Sequence, residues 1–328
     1  MRRFRNRHPR RPWSKKRRVI TASTLTVALL AGAGVNGWMW LPTGRAVVRS
    51  VERASEQLPH VGEISGRVLF ISPHPDDETL AAAGLLQDIQ ARGGEVHVTF
   101  LTNGDGFPWE VRTSTPRPFV KDEDYLKLGR LRMIEARRAT ARLGIPEAHL
   151  SFMGFPDRGL SMMGSRHYLV PYRSPYTGKT SVPYEGVYEP NAPYTGQALE
   201  ALLARLFDEV KPDVVFAPSV LDGHPDHRAA SYVTTRLASQ RNLSIYYYIV
   251  HGGVQWPRPK GFHPDLPLSP PTLDQQGIRW NRFDLTPEQE EGKVAAIREY
   301  KSQLRLLSRF MWAFARDNEL ILPAPNGE

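Results

Sequence analysis

Residues 68–78 read Val-Leu-Phe-Ile-Ser-Pro-His-Pro-Asp-Asp-Glu, and this stretch limits the possible folds more than any other. Val68 to Ser72, four apolar residues and a serine, form a short run of the kind that makes a buried strand, and Pro73 ends it. A helix follows at once, with Asp77 and Glu78 in its first turn and apolar residues at helical spacing from Thr79 to Ile89. One imidazole and three carboxylates therefore crowd a junction between a strand and a helix start. A hydrophobic core asks for nothing of the kind. Carboxylates this close repel one another unless a cation offsets them, and a divalent metal is the natural one.

The same alternation continues downstream. Expected strands at Glu95–Thr102, His149–Gly154, Asp213–Ala217 and Ser244–Val250 are separated by expected helices at Thr79–Arg92, Asp124–Leu143, Gly196–Val210 and His227–Arg241. Gly93-Gly94, Gly144 and Lys211-Pro212 mark helix ends. Thr286-Pro287-Glu288-Gln289 is a capping box with proline in the first helical position, and opens a last helix expected to run to about Arg316. Strands alternating with helices imply an α/β, Rossmann-like three-layer fold with a mostly parallel sheet.

Upstream the composition changes. Residues 1–18 hold eight Arg and two Lys and no acid, so the formal net charge of +9 resides in this arm and the remainder sums to −1. A near-neutral body argues against a nucleic-acid-binding domain. Val19 to Leu41 contain no charge; as a helix this run spans about 34 Å, against a hydrocarbon core of about 30 Å. Trp38 and Trp40 lie at its far end, where interfacial aromatics belong. The expected organisation is a basic cytoplasmic arm (1–18), one transmembrane helix (19–41), a linker (42–66) and an extracytoplasmic domain (67–328). The alternative is a signal segment cleaved after Ala31-Gly32-Ala33, releasing a secreted domain. With no cysteine, any metal must be held by histidine and carboxylate.

In an open parallel sheet, ligands bind beyond the carboxyl ends of the strands. Those ends carry His74-Pro75-Asp76-Asp77-Glu78, Asn103-Gly104-Asp105, Phe155-Pro156-Asp157, Asp222-Gly223-His224-Pro225-Asp226-His227 and His251-Gly252-Gly253. His74, Asp77 and His227 supply two imidazoles and a carboxylate, a three-ligand set that leaves a position open for water. Asp76 can take a proton from an acidified water. His224 can face the substrate and stabilise an oxyanion or protonate a leaving amine, with Asp226 orienting it and holding it protonated.

Two of these motifs, Pro73–Glu78 and His224–His227, resemble the signature pair of the LmbE/PIG-L family of zinc-dependent N-acetylglucosamine deacetylases. Leu131–Ala136 and Leu143-Gly144 match the family's helix after the second strand. The resemblance covers about residues 66–250. It implies Zn2+ (Fe2+ also suits the ligands) on His74, Asp77 and His227, Asp76 as base and His224 as transition-state stabiliser. It also implies Arg132 and Asp157 as substrate-binding residues, and an N-acetylated sugar or glycoconjugate as substrate. The arm, the apolar segment, the 155–195 loop and the tail depart from the better-known members.

The 155–195 loop holds Tyr168, Tyr172, Tyr176, Tyr184, Tyr188 and Tyr194. These rings can face sugars or can fasten the loop to the sheet. Two functions compete with deacetylation: a non-haem Fe(II) oxygenase, whose facial triad uses the same ligand types, and a membrane-tethered glycan-binding module.

Overall fold

The computed structural model describes residues 42–271 and 278–323. The chain divides into two units, residues 1–50 and 51–328, and the sheet and the site belong to the second. That unit begins inside the stretch read as a linker, whose first part is a helix, α1 (Pro42–Glu56). The arm and the apolar 19–41 run lie outside the described residues. Among the described residues, no helix is long and apolar enough to cross a membrane.

Seven strands form one mixed sheet in the order β3-β2-β1-β4-β5-β7-β6. The first five run parallel: β1 (Arg67–Ser72), β2 (Glu95–Thr102), β3 (Leu150–Phe155), β4 (Val214–Pro218) and β5 (Ser244–Tyr248). These are the expected strands to within a few residues. The centres of β1 to β4 are buried on both faces, as a parallel sheet covered by helices requires, while Tyr246 and Tyr247 of β5 are half-buried. The helices α2 (Asp77–Ala91) and α4 (Asp122–Arg142) connect β1, β2 and β3, while α6 (Gly196–Val210) and α7 (Pro225–Ser239) flank β4; a short α3 (Pro108–Ser114) and α5 (Leu160–Met163) lie in the loops after β2 and β3. From β1 the chain adds strands outward to β2 and β3, then returns to add β4 and β5 on the other side. The crevice between β1 and β4 is thus the switch point where such sheets bind ligands, and both histidine motifs emerge there.

The C-terminal segment departs from expectation. In place of one helix to Arg316 there are two, α8 (Pro287–Glu299) and α9 (Lys301–Met311), broken at Tyr300 (φ −79°, ψ 57°). The predicted capping box is present at Thr286 and Gln289. Tertiary bonds impose the break. The Tyr300 hydroxyl donates to Glu78, and the Glu135 carboxylate accepts from Ser302 N (2.8 Å) and Ser302 Oγ (2.6 Å), capping the start of α9. Two antiparallel strands, β6 (Asn281–Asp284) and β7 (Asn318–Pro323), then complete the sheet beside β5.

β7 also explains a kink in α2 at Ala82 (φ −146°). The break frees the N–H groups of Gly84 and Leu85, and Glu319 accepts both, one on each oxygen, at 2.9 Å. Its charge is met by Lys293 Nζ at 2.7 Å, and both side chains are buried. Removing one member of such a pair leaves a buried charge without its counterion. Lys293→Met is therefore expected to lower the unfolding free energy by about 3–5 kcal/mol, read by urea denaturation; a loss within about 0.5 kcal/mol, the range of ordinary surface changes, would show that the pair carries no such burden.

Candidate metal centre and active site

The chain leaving β1 turns sharply before α2, and its own side chains hold the turn. Asp77 Oδ2 accepts from His74 N at 2.8 Å. Glu78 accepts from Asp76 N at 3.2 Å, from Thr79 Oγ1 at 2.6 Å and from Tyr300. Asp76 adopts φ 129°, a conformation that costs a non-glycine residue about 1–3 kcal/mol. The turn thereby faces Asp77 towards the two histidines and Asp76 towards Arg132.

Three donor atoms converge. His74 Nδ1 lies 3.2 Å from His227 Nε2 and 3.4 Å from Asp77 Oδ2, and His227 Nε2 lies 3.2 Å from the same oxygen. Donors held at 2.0–2.1 Å around a tetrahedral zinc are separated by about 3.3 Å. The triangle therefore has the edge lengths of one face of such a centre, and the side chains are almost fully buried. Each imidazole turns its other nitrogen to carboxylates: His74 Nε2 lies 3.2 Å from Asp157 and 3.4 Å from Asp226, and His227 Nδ1 lies 3.1 Å from Asp222. Carboxylates behind the ligand histidines are the usual support of a metal-binding imidazole. Burial alone would lower the pKa of both rings. The facing carboxylates outweigh it, raising His74 well above its ordinary value and His227 to about 9. Asp77, facing both rings, is held well below the usual carboxylate range despite its burial.

Asp76 is different. Burial pushes its carboxyl up to about 7, against the opposing pull of Arg132. The Arg132 guanidinium is itself buried and donates to Asp76 Oδ2 (3.1 Å), Pro75 O (2.6 Å) and Gly104 O (3.1 Å). Gly104, at φ +63°, is required here, because a Cβ would stand 1.9 Å from the guanidinium. Arg132 lines the cavity, yet its bonds go to Asp76 and to the Pro75 and Gly104 carbonyls. Glu135, the alternative partner at i+3, is engaged by Ser302.

Asp226 departs from its expected role. Its carboxylate accepts from Arg158 N (2.6 Å) and Leu160 N (3.0 Å) and approaches His74 rather than His224. His224 meets only the main chain of Asp226, whose N–H donates to Nδ1 at 3.2 Å. Burial, with the nearby His74 and His227, pushes the His224 pKa down to about 2. With Nδ1 accepting from the Asp226 N–H, Nε2 is left as the donor nitrogen of the His224 ring, and the Asp226 carboxylate expected beside it is directed elsewhere. Asp157 both supports His74 and accepts from Gly106 N at 2.9 Å.

His74, Asp76, Asp77, Arg132, Asp157 and His224 line a cavity of about 300 Å³. Two contributions went unassigned in the sequence. Asp222 is wholly buried and ties the ends of β4 and β5 together, accepting from His224 N, Val250 N and His251 N. Gln303, Leu307, Phe310 and Met311 from α9 also line the cavity, as does His251. The tyrosines of the 155–195 loop are absent from the cavity lining. Tyr184 and Tyr194 are core residues, and Tyr168 and Tyr188 bond Glu200 and Glu209, so these four help to fasten the loop to the body.

Residues 69–238 match the family model for GlcNAc-PI de-N-acetylase, PIG-L. A 1D-myo-inositol 2-acetamido-2-deoxy-alpha-D-glucopyranoside deacetylase of Mycobacterium sp. (strain KMS) is 26% identical over 298 residues, covering 86% of this chain and 88% of the relative. The protein of the same name from Mycolicibacterium vanbaalenii is 29% identical over 284 residues, covering 79% and 88%. A solved deacetylase–teicoplanin complex from the teicoplanin biosynthesis pathway shares the fold, with a TM-score of 0.50 at 19% identity, covering 78% of this chain and 97% of that one.

A histidine must lose its proton to ligate a metal. With His227 titrating near 9 in the metal-free protein, uptake of Zn2+ by chelator-treated protein is expected to release protons and to tighten as pH rises from 6 towards 9. Calorimetry in buffers of different ionisation enthalpy measures both effects. An affinity independent of pH would remove His227 from the ligand set.

Proposed function

The chain belongs to the GlcNAc-PI de-N-acetylase (PIG-L) family, and we propose that it is a metal-dependent N-deacetylase acting on an N-acetylglucosamine-type sugar of an extracytoplasmic glycan or glycoconjugate. The observation that carries this proposal is the triangle of His74 Nδ1, Asp77 Oδ2 and His227 Nε2 beside a base with a raised pKa. A divalent ion held there, Zn2+ or Fe2+, supplies Lewis-acid polarisation of the acetyl carbonyl and an acidified water.

The protein's own groups do the remainder. Asp76 accepts a proton from the attacking water, and a carboxylate titrating near neutrality is well matched to that task. Arg132 holds the Asp76 oxygen and the Pro75 and Gly104 carbonyls, so the base is fixed before substrate enters. His224, with Nε2 as its donor nitrogen, directs that donor at the oxygen that becomes negative as water adds to the amide carbon. The C–N bond then breaks, the proton taken by Asp76 passes to the nitrogen, and acetate and a free amine leave. Asp157 and Asp226 keep the ring of His74 in place. α9 offers Leu307, Phe310 and Met311 to the apolar face of a sugar, with Gln303 beside them.

The extracytoplasmic location is supported by the sequence alone. The uncharged 19–41 run behind ten positive charges orients an anchor with its arm in the cytoplasm. Protease added to spheroplasts is expected to digest the domain and spare the arm. A protected domain would reverse the orientation.

Asp76→Asn is expected to retain metal while losing about 10²–10⁴-fold in kcat, measured as acetate released from N-acetylated glycans with the free amine counted alongside. Release of acetate from O-acetyl esters alone would overturn the amidase assignment. Arg132 draws the Asp76 pKa down, so Arg132→Met is expected to shift the acidic limb of the kcat/KM profile to higher pH. A rise in KM with an unmoved profile would instead make Arg132 a substrate-binding residue.

A further inference from the structure

We infer that Glu95, His97 and His149 form a second divalent-metal site, at the amino-terminal edge of the sheet and separate from the catalytic cavity. Glu95 and His97 stand two residues apart on β2, so their side chains leave the same face. The parallel register sets Val98 of β2 beside Leu150 of β3, which brings the preceding residue, His149, next to His97. The two rings stack with centroids 4.2 Å apart, and both turn Nε2 towards a single oxygen. Glu95 Oε1 lies 2.6 Å from His97 Nε2 and 3.7 Å from His149 Nε2. One donor atom from each residue lies within 4.8 Å of the others.

The surroundings prepare these donors for a cation. His149 Nδ1 lies 3.1 Å from the Val96 carbonyl. A carbonyl only accepts, so this nitrogen carries the ring proton and leaves the Nε2 lone pair facing the carboxylate. Glu95 Oε1 hydrogen-bonds His97 Nε2 in the metal-free site, and at 3.7 Å from His149 Nε2 it leaves room for a cation that would take the place of that hydrogen bond and be shared by all three groups. The other Glu95 oxygen is taken by Arg67 Nε at 3.1 Å, which orients the carboxylate and leaves Oε1 as the ligand. The side chains are partly exposed, at 40% for Glu95, 16% for His97 and 25% for His149, so an ion can enter and water can complete its coordination. Two imidazoles and one carboxylate suit Zn2+, Ni2+ or Cu2+ rather than Mg2+ or Ca2+. An ion there would strap β2 to β3 at the end opposite the one carrying Asp105 and Asp157, and its effect is on stability rather than on the reaction.

Zinc stoichiometry of the full-length protein, measured after dialysis against Zn2+ in excess over chain, tests this independently of the proposed activity. Wild type is expected to hold one equivalent more than His149→Gln and one more than Glu95→Gln. Both variants should keep wild-type turnover. In an Asp77→Asn/His227→Gln background, which lacks the catalytic ligands, Zn2+ should still raise the thermal midpoint, and adding His149→Gln should abolish that rise. Far-ultraviolet circular dichroism confirms that each variant is folded. Equal stoichiometry in wild type and both single variants, or a zinc-dependent rise that survives His149→Gln, overturns the site.

Discussion

The structure depends on keeping carboxylates apart in a place where water cannot. Asp76, Asp77, Glu78, Asp157, Asp222 and Asp226 are all buried around the ends of β1 and β4. Each is answered individually. Asp77 and Asp157 face His74, Asp222 faces His227, Asp76 faces Arg132, Glu78 takes hydroxyls and a backbone N–H, and Asp226 takes two backbone N–H groups. Partners of this kind permit a buried charge, and their absence forces a carboxyl to neutralise. Burial still wins at two of them: Glu78 is raised above its ordinary value, and Asp76, despite the pull of Arg132, is pushed up to about 7.

Much of this arrangement was legible in the sequence because it is local. The strands β1 to β5 are apolar runs closed by Gly, Pro or Asn, and their order of appearance with helices between them implies a parallel sheet. The three converging side chains, His74, Asp77 and His227, come from two short motifs at strand ends, so the switch-point rule alone brings them together. The capping box at Thr286 needs only four residues and was found where expected. A capping box of this kind is read from the chain itself, because its two hydrogen bonds join residues three apart.

What escaped the sequence was made by distant partners. The break at Tyr300 lies within an unbroken helical pattern and follows from bonds to Glu78 and Glu135. β7 carries Glu319, a residue that reads as solvent-facing until the kink in α2 supplies two N–H groups and α8 supplies Lys293. The apolar face of α9 says that the helix packs on something without saying that it lines a cavity. Asp226 appeared poised to serve His224, a neighbour in sequence, yet its carboxylate serves segments more than sixty residues upstream. Spacing along a chain gives the direction of a side chain only while the element carrying it stays regular.

The bond between Tyr300 and Glu78 joins residues 222 positions apart. The matched family region ends at residue 238, so one fixed point of the site's first turn is supplied from far beyond it. The turn that carries Asp76 and Asp77 is therefore held in part by chain that follows all five parallel strands, and its geometry rests on the helices on either side of Tyr300 packing back onto it.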